Sequence, residues 1–231
     1  MNREFLHGLR SGIPICLGYL SVSFGFGILA VRSGIPVWAA VAISLTNLTS
    51  AGQAAGVEII AAAGTLLEMA LTQLLINARY CLMALTLTQK RSDFRLHDRL
   101  LVSYGITDEI FGVAAAQERP ITPPFMYGMI LVATLGWVSG TFLGAVSGDL
   151  LPERLSAAMG ILLYGMFLAV IVPPARTSRP AFFAVLIAAA VSCLIYYCLP
   201  FITSGFSVII SAVIAAAVLA FIAPVEGEGE N

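Results

Sequence analysis

The sequence predicts an all-α fold: a polytopic integral membrane bundle of about seven spans, some of them broken or re-entrant. Three observations lead there. Apolar residues make up 59% of the 231-residue chain, against about 45–50% in soluble domains. Charged residues make up 11%, against about 25% in that reference, and mean hydropathy is +0.93. The apolar runs are continuous and not alternating, which selects helices over a β-barrel.

Charged punctuation divides the chain into elements. Residues 2–11 read as a short interfacial helix, and Ile13–Val31 as the first span, retained and not cleaved as a signal. The stretch from Pro36 to Thr88 holds 53 residues. A span needs about 20, so 53 exceeds two tight spans and falls short of three with loops. Broken or re-entrant helices resolve the mismatch. The segment Gln89–Arg99 is the most charged in the chain. Further spans are expected at Leu100–Gln117, Phe125–Ser147, Ala157–Val172, Ala181–Leu199 and Ser204–Ala223, closing a single transmembrane domain over 1–223. Residues 224–231 form an acidic, glycine-containing tail with the composition of disorder.

Arg3 and Arg10 at the start, and Lys90, Arg91, Arg95 and Arg99 in the central loop, place both regions in the cytoplasm by the positive-inside rule. The 53-residue stretch must then cross a net odd number of times. One net crossing there gives seven spans in total. Arg176 and Arg179 would fall outside, against the rule.

Polar groups interrupt the apolar runs in three places. The first is NLTSAGQAAG, Asn47–Gly56, which carries Thr49, Ser50, Gly52 and Gln53. Backbone groups inside a bilayer must be paired internally, and irregular backbone is tolerated only in protein or beside a wet cavity. A discontinuous helix here would aim half-helix N–H groups at a solute. Gly52-x-x-x-Gly56 equally fits a helix–helix contact, and the two alternatives are compatible. The second is INARYC, with Asn77 and Arg79. Arg79 lies ten residues before the central loop, about 15 Å along a helix, which is at the limit of snorkelling. A cavity-facing or ion-paired role is the other alternative. The third is GITDEIFGVA. Asp108 and Glu109 point about 100° apart on a helix, and Thr107 is placed to cap a half-helix beginning there. An intramembrane carboxylate is a candidate proton or substrate site; a helix start near the interface is the bland alternative. Glu58 and Glu68 also sit in the apolar run, ten residues apart and so on different faces.

Other features read as structural. Gly136, Gly140, Gly144 and Gly148 recur every four residues, a stripe suited to close helix packing. His7 and His97 lie in charged flanks, where solvated loop is the expected state. Cys16, Cys81, Cys193 and Cys198 all fall in apolar segments, with no disulfide framework or metal-ligand spacing. Net charge is −1, with no basic stripe for nucleic acid. No Ser/His/Asp set, G-x-S-x-G, H-E-x-x-H or P-loop is present, so neither an enzyme nor a cofactor is expected.

Five motifs in order carry a resemblance: GIPICLGYLSVSFGFGILA in the first span, the Ala-Gly pair with Gln53, N-x-R-Y at 77–80, ITDEIF at 106–111, and W-x-x-G-x-x-x-G at 137–144. Together they resemble the AzlC family of branched-chain amino acid permeases, over roughly residues 10–175. The resemblance implies an exporter in the cell (inner, cytoplasmic) membrane, working with a small AzlD-like membrane subunit. It maps Gly52 and Gln53, Asn77 and Arg79, and Thr107, Asp108 and Glu109 onto the family's polar elements. The chain departs from the pattern where Gln53 directly follows Gly52 and where Tyr80 follows the arginine.

A zwitterionic substrate needs donors for its carboxylate, acceptors for its ammonium and an apolar pocket. The expectation is that a break at Thr49–Gly56 binds the carboxylate, with Asn77 and Arg79 contributing to the substrate site. Asp108 or Glu109 would face the ammonium or carry a coupling proton, and Phe24 and Phe26 would wall the pocket. A passive channel and a non-transporting membrane scaffold are the alternatives.

Overall fold

The computed structural model describes residues 3–90, 94–147, 165, 168, 171–172 and 175–222. Among the described residues the regular elements are α-helices, with no strand. They are α1 (Arg3–Arg32), α2 (Val37–Thr46), α3 (Ser50–Ala61), α4 (Leu66–Lys90), α5 (Leu96–Tyr104), α6 (Asp108–Ala115), α7 (Pro123–Ser147), α8 (Arg179–Cys198) and α9 (Ser204–Ile222). Five of these, α1, α4, α7, α8 and α9, are long and apolar enough to cross a membrane. The chain divides into two compact units, residues 1–57 with 76–164 and residues 58–75 with 165–231.

The first unit is organised on α1 and α7. Small residues hold these helices in direct backbone contact. A Cβ added at Gly144 would lie 2.0 Å from the Phe24 carbonyl oxygen, one at Gly136 would lie 2.5 Å from that of Cys16, and one at Gly8 would lie 2.0 Å from that of Phe125. No side chain fits at those distances, so the glycine stripe exists to let the backbones touch. Gly8 meets Phe125, Cys16 meets Gly136 and Phe24 meets Gly144, so positions rise together along both helices and the pair is parallel. The interfacial helix expected at residues 2–11 is not separate: from Arg3 on, its residues continue into the span, because Gly8 and Gly12 already dock on Phe125 and Met129 of α7.

A parallel α1–α7 pair requires the chain between them to return once. That return is α4, and the two broken elements beside it turn back on themselves. Val57, late in α3, packs with Ile35 and Ala40 at the start of α2 and with Phe26 and Ala30 of α1. The α2–α3 hairpin therefore enters and leaves at the end where α1 stops. The α5–α6 hairpin does the reverse. The Lys90 ammonium at the close of α4 donates to the carbonyl oxygens of Ala115 and Gln117. The Ile121 amide donates to the Lys90 carbonyl at 3.0 Å. The Tyr127 hydroxyl donates to Asp98 in the first turn of α5, and His7 of α1 lies against Phe125. All these groups share the end where α1 begins. Asp98 also accepts from the Arg95 backbone at 2.7 Å. The Tyr127 hydrogen bond, more than any other interaction, holds its carboxyl below the usual carboxylate range.

This arrangement corrects two expectations. Leu100–Gln117 is not a continuous span: the helix stops at Tyr104 and resumes at Asp108. A Cβ at Gly105 would lie 2.5 Å from the Ile130 side chain, so a larger residue at the turn would have to displace that side chain. The first break lies at Asn47–Thr49, while Ser50–Gly56 is helical. Of the expected span at Ala157–Val172 only residues 165, 168, 171 and 172 are among the described residues; the tail at 224–231 and Gly148 lie outside them.

In the second unit, α8 and α9 are joined by the short turn 199–203 and pack together. Ser178 caps α8, accepting from the Ala181 amide at 3.4 Å. Glu68, almost fully buried, accepts from the Thr203 hydroxyl and from the Gly205 amide at 3.1 Å. Its carboxylate thereby closes the N-terminus of α9, where the helix dipole favours negative charge. Glu58 and Glu68 stand on separate helices, one exposed and the other buried.

Candidate functional site

The two hairpin tips meet midway along α1 and α7. Each tip ends in a threonine that caps the following half-helix. Thr49 Oγ1 accepts from the Gly52 amide at 3.3 Å, and Thr107 Oγ1 accepts from the Ile110 amide at 3.4 Å. Such caps satisfy donors that a helix start leaves open. Both threonines are buried, and each is reached by a tyrosine of a neighbouring long helix. The Tyr19 hydroxyl of α1 lies 2.5 Å from Thr107 Oγ1, and the Tyr80 hydroxyl of α4 lies 3.5 Å from Thr49 Oγ1. The Tyr104 hydroxyl of the second hairpin donates to the Leu45 carbonyl of the first, tying the tips together.

Gln53 braces the first hairpin. Its amide nitrogen donates to the Asn47 carbonyl just past the end of α2 and, at 3.4 Å, to that of Ile43, which also accepts from the Asn47 amide. Its oxygen accepts from Trp137 Nε1 at 3.1 Å and from the Ser44 hydroxyl at 3.5 Å. Ser44 in turn shares a 2.8 Å hydrogen bond with Thr141. Gln53 is 2% exposed and every polar atom of its side chain is engaged. Tyr19 meets the Trp137 ring edge-on at 5.2 Å, which places brace and second hairpin on one wall.

The charged groups lie at the second tip. Arg79 grips Asp108 with both prongs, Nη1 to Oδ1 at 3.1 Å and Nη2 to Oδ2 at 2.9 Å. A two-pronged guanidinium–carboxylate pair is the strongest geometry available to these groups. The guanidinium also stands 5.2 Å from the Tyr80 ring centre, within cation–π range. Side-chain exposure of 36% for Arg79 and 26% for Asp108 leaves the pair reachable by a small solute. Glu109 Oε2 lies 2.7 Å from the Tyr19 hydroxyl. The single Tyr19 O–H serves one acceptor at a time: when it donates to Glu109 Oε2, the Thr107 hydroxyl is free to donate to the phenol oxygen. First-turn carboxylates at 108 and 109 suit the positive end of α6; the first turn of α3 carries none.

The structure thus brings Thr49, Gln53, Arg79, Asp108 and Glu109 to one junction. Ser50 and Gly52 lie in the adjoining first turn of α3. Asn77 is half-buried on α4, about 200° around the helix from Arg79. Phe26 is fully buried with Ala30, Ile35 and Ala40, so it packs helices and walls no pocket. Tyr19, Ser44, Tyr104 and Thr141 belong to the junction and were not marked by sequence. Their partners stand as far as 97 positions away, and no local pattern announces such contacts.

Fold and junction together define a polytopic, membrane-embedded helical protein built around two opposed re-entrant hairpins. The chain belongs to the AzlC family, whose model, described as AzlC protein, matches residues 14–151 and so covers both hairpins and α7. It is 29% identical over 180 residues to the inner membrane protein YgaZ of Escherichia coli K12, covering 72% of this chain and 71% of that one. It is 29% identical over 174 residues to an uncharacterized membrane protein of Archaeoglobus fulgidus, covering 73% and 75% respectively. An uncharacterized membrane protein of Helicobacter pylori strain 26695 is 28% identical over 155 residues, covering 63% and 67%. No solved structure matches the chain significantly. Family and relatives point to a role related to membrane transport.

Proposed function

We propose that the chain exports branched-chain or related hydrophobic amino acids across the inner (cytoplasmic) membrane, coupled to the proton gradient and working with a small AzlD-like subunit. The observation that carries this reading is the half-exposed, two-pronged Arg79–Asp108 pair at the hairpin junction. An α-amino acid carries both charges of that pair on one molecule. Its carboxylate matches the guanidinium fork, and its ammonium matches the Asp108 carboxylate. A zwitterion entering the junction exchanges one internal ion pair for two new ones, so no charge is left bare in a medium where bare charge is costly. Backbone N–H groups at the start of α3 add a second pole for the carboxylate. Glu109, held by Tyr19, is the group placed to take the coupling proton.

The test is efflux of preloaded leucine, valine and methionine from cells expressing the chain. It is run with and without an AzlD-like subunit, and before and after a protonophore. Efflux that needs the subunit and collapses with the gradient supports the proposal. Efflux indifferent to the protonophore identifies a passive channel. No efflux under any condition, with the subunit still co-purifying, identifies a scaffold.

A further inference from the structure

The second unit holds an open cavity of about 710 Å³ between the end of α8 and the start of α9. Among the described residues, Glu58 is the one charged side chain on its wall. Ser192, Ser204 and Ser207 supply hydroxyls, while Ile195 and Leu199 supply hydrocarbon. Among the described residues, neither the Glu58 carboxylate nor these three hydroxyls has a side-chain hydrogen bond or ion pair. The contrast with Glu68 in the same unit is informative. Glu68 is buried and already satisfied by Thr203 and Gly205, so it occupies the anion site at the start of α9. Glu58 faces the cavity on an apolar helix with no neutralising partner among the described residues. A lone carboxylate in such surroundings calls for a cation.

From this we infer that the cavity is a binding site for a primary ammonium carried on a hydrocarbon body. One carboxylate and several hydroxyls match the three N–H donors of an ammonium, and the apolar wall takes the hydrocarbon. A quaternary ammonium has no N–H to offer and fits less well. The inference holds whether or not the chain carries amino acids, because it involves neither Arg79 nor Asp108. Two sources share this chemistry: a free hydrophobic amine or amino acid, and the headgroup of phosphatidylethanolamine.

The experiment uses the full chain in nanodiscs of phosphatidylcholine, with 3-methylbutylamine as the calorimetric probe. This amine lacks a carboxylate and so cannot satisfy Arg79. Saturable binding is expected. It weakens about tenfold or more in Glu58→Gln, as loss of a charge-assisted hydrogen bond implies, and similarly in Ser207→Leu, which fills the cavity without touching the carboxylate. It is unchanged in Asp108→Asn. Repeating the titration with phosphatidylethanolamine in the discs separates the sources. Weaker amine binding, together with retention of that lipid by the wild type but not by Glu58→Gln in native mass spectrometry, assigns the headgroup. Indifference to the lipid assigns the free amine. Absence of saturable binding in phosphatidylcholine discs, or equal binding by the wild type and both cavity variants, overturns the inference. Loss of binding in Asp108→Asn also overturns it, by placing the amine at the other junction.

Discussion

Trp137 and Gln53 are 84 positions apart, yet the indole N–H of one ends on the amide oxygen of the other at 3.1 Å, both fully enclosed. Gln53→Leu would strand that N–H and the Asn47 carbonyl. Each stranded buried group costs about 1–3 kcal/mol. The detergent-solubilised variant should melt well below the wild type, while Trp137→Phe, which strands only one acceptor position, should lose less. Equal melting temperatures for wild type and Gln53→Leu would show that the brace is dispensable.

The Arg79–Asp108 pair makes a prediction about stability distinct from transport. Arg79→Ala leaves a carboxylate unpaired at the junction and should destabilise by about 1–2 kcal/mol, less than for a fully buried pair because both side chains are partly exposed. Adding Asp108→Asn should restore part of the loss. A double variant no more stable than Arg79→Ala would contradict the pairing.

The seam between α1 and α7 can be probed with a single methyl group. Gly144→Ala places a carbon 2.0 Å from the Phe24 carbonyl, where only a shift of backbone can relieve it, and should cost about 1–3 kcal/mol or more. Gly18→Ala on α1 meets nothing within 4 Å and should be neutral or stabilising, by up to about 1 kcal/mol of helix propensity. Yields of folded protein after membrane extraction would distinguish the two, and parity between them would argue against the seam.

Asp98 gives a pH dependence. Its carboxyl is held low by Tyr127, so the folded state favours the ionised form. The stabilisation is present in full above the unfolded value of about 4 and is lost as pH falls through the lower, folded value. The stability gap between wild type and Asp98→Asn should therefore be steady near neutrality and close on acidification. A gap that widens in acid would reverse the assignment.

Much of this was legible in the sequence, for identifiable reasons. Composition demanded membrane helices, and the 53-residue stretch could not be divided evenly into spans, so re-entry followed from length alone. Thr107 was placed as a cap by its position before two carboxylates, and the structure gives it that role. The glycine stripe implied helix contact, and the added-carbon distances explain why. The direction of each half-helix was not legible. An apolar segment of eight or ten residues looks the same whether the chain continues or turns back. At Gly105-Ile106-Thr107 no proline marks the turn; Gly105 there packs closely on Ile130, a contact 25 positions along the chain. At the first break, Gly52 and Gly56 drew the eye, yet the helix had already stopped at Asn47, whose carbonyl the Gln53 amide takes up.

The α1–α7 seam also sets a timetable for biosynthesis. The contacts along it join residues about 120 positions apart, as Gly8 with Gly128 and Phe24 with Gly144. Chains are made at about 5–20 residues per second, so the groove face of α1 waits about 6–24 s in the bilayer before its partner emerges. During that interval both hairpins are delivered beside an unfilled groove. An insertase or chaperone that shields small-residue faces would act on this protein early, on its first helix, and release it only when α7 arrives.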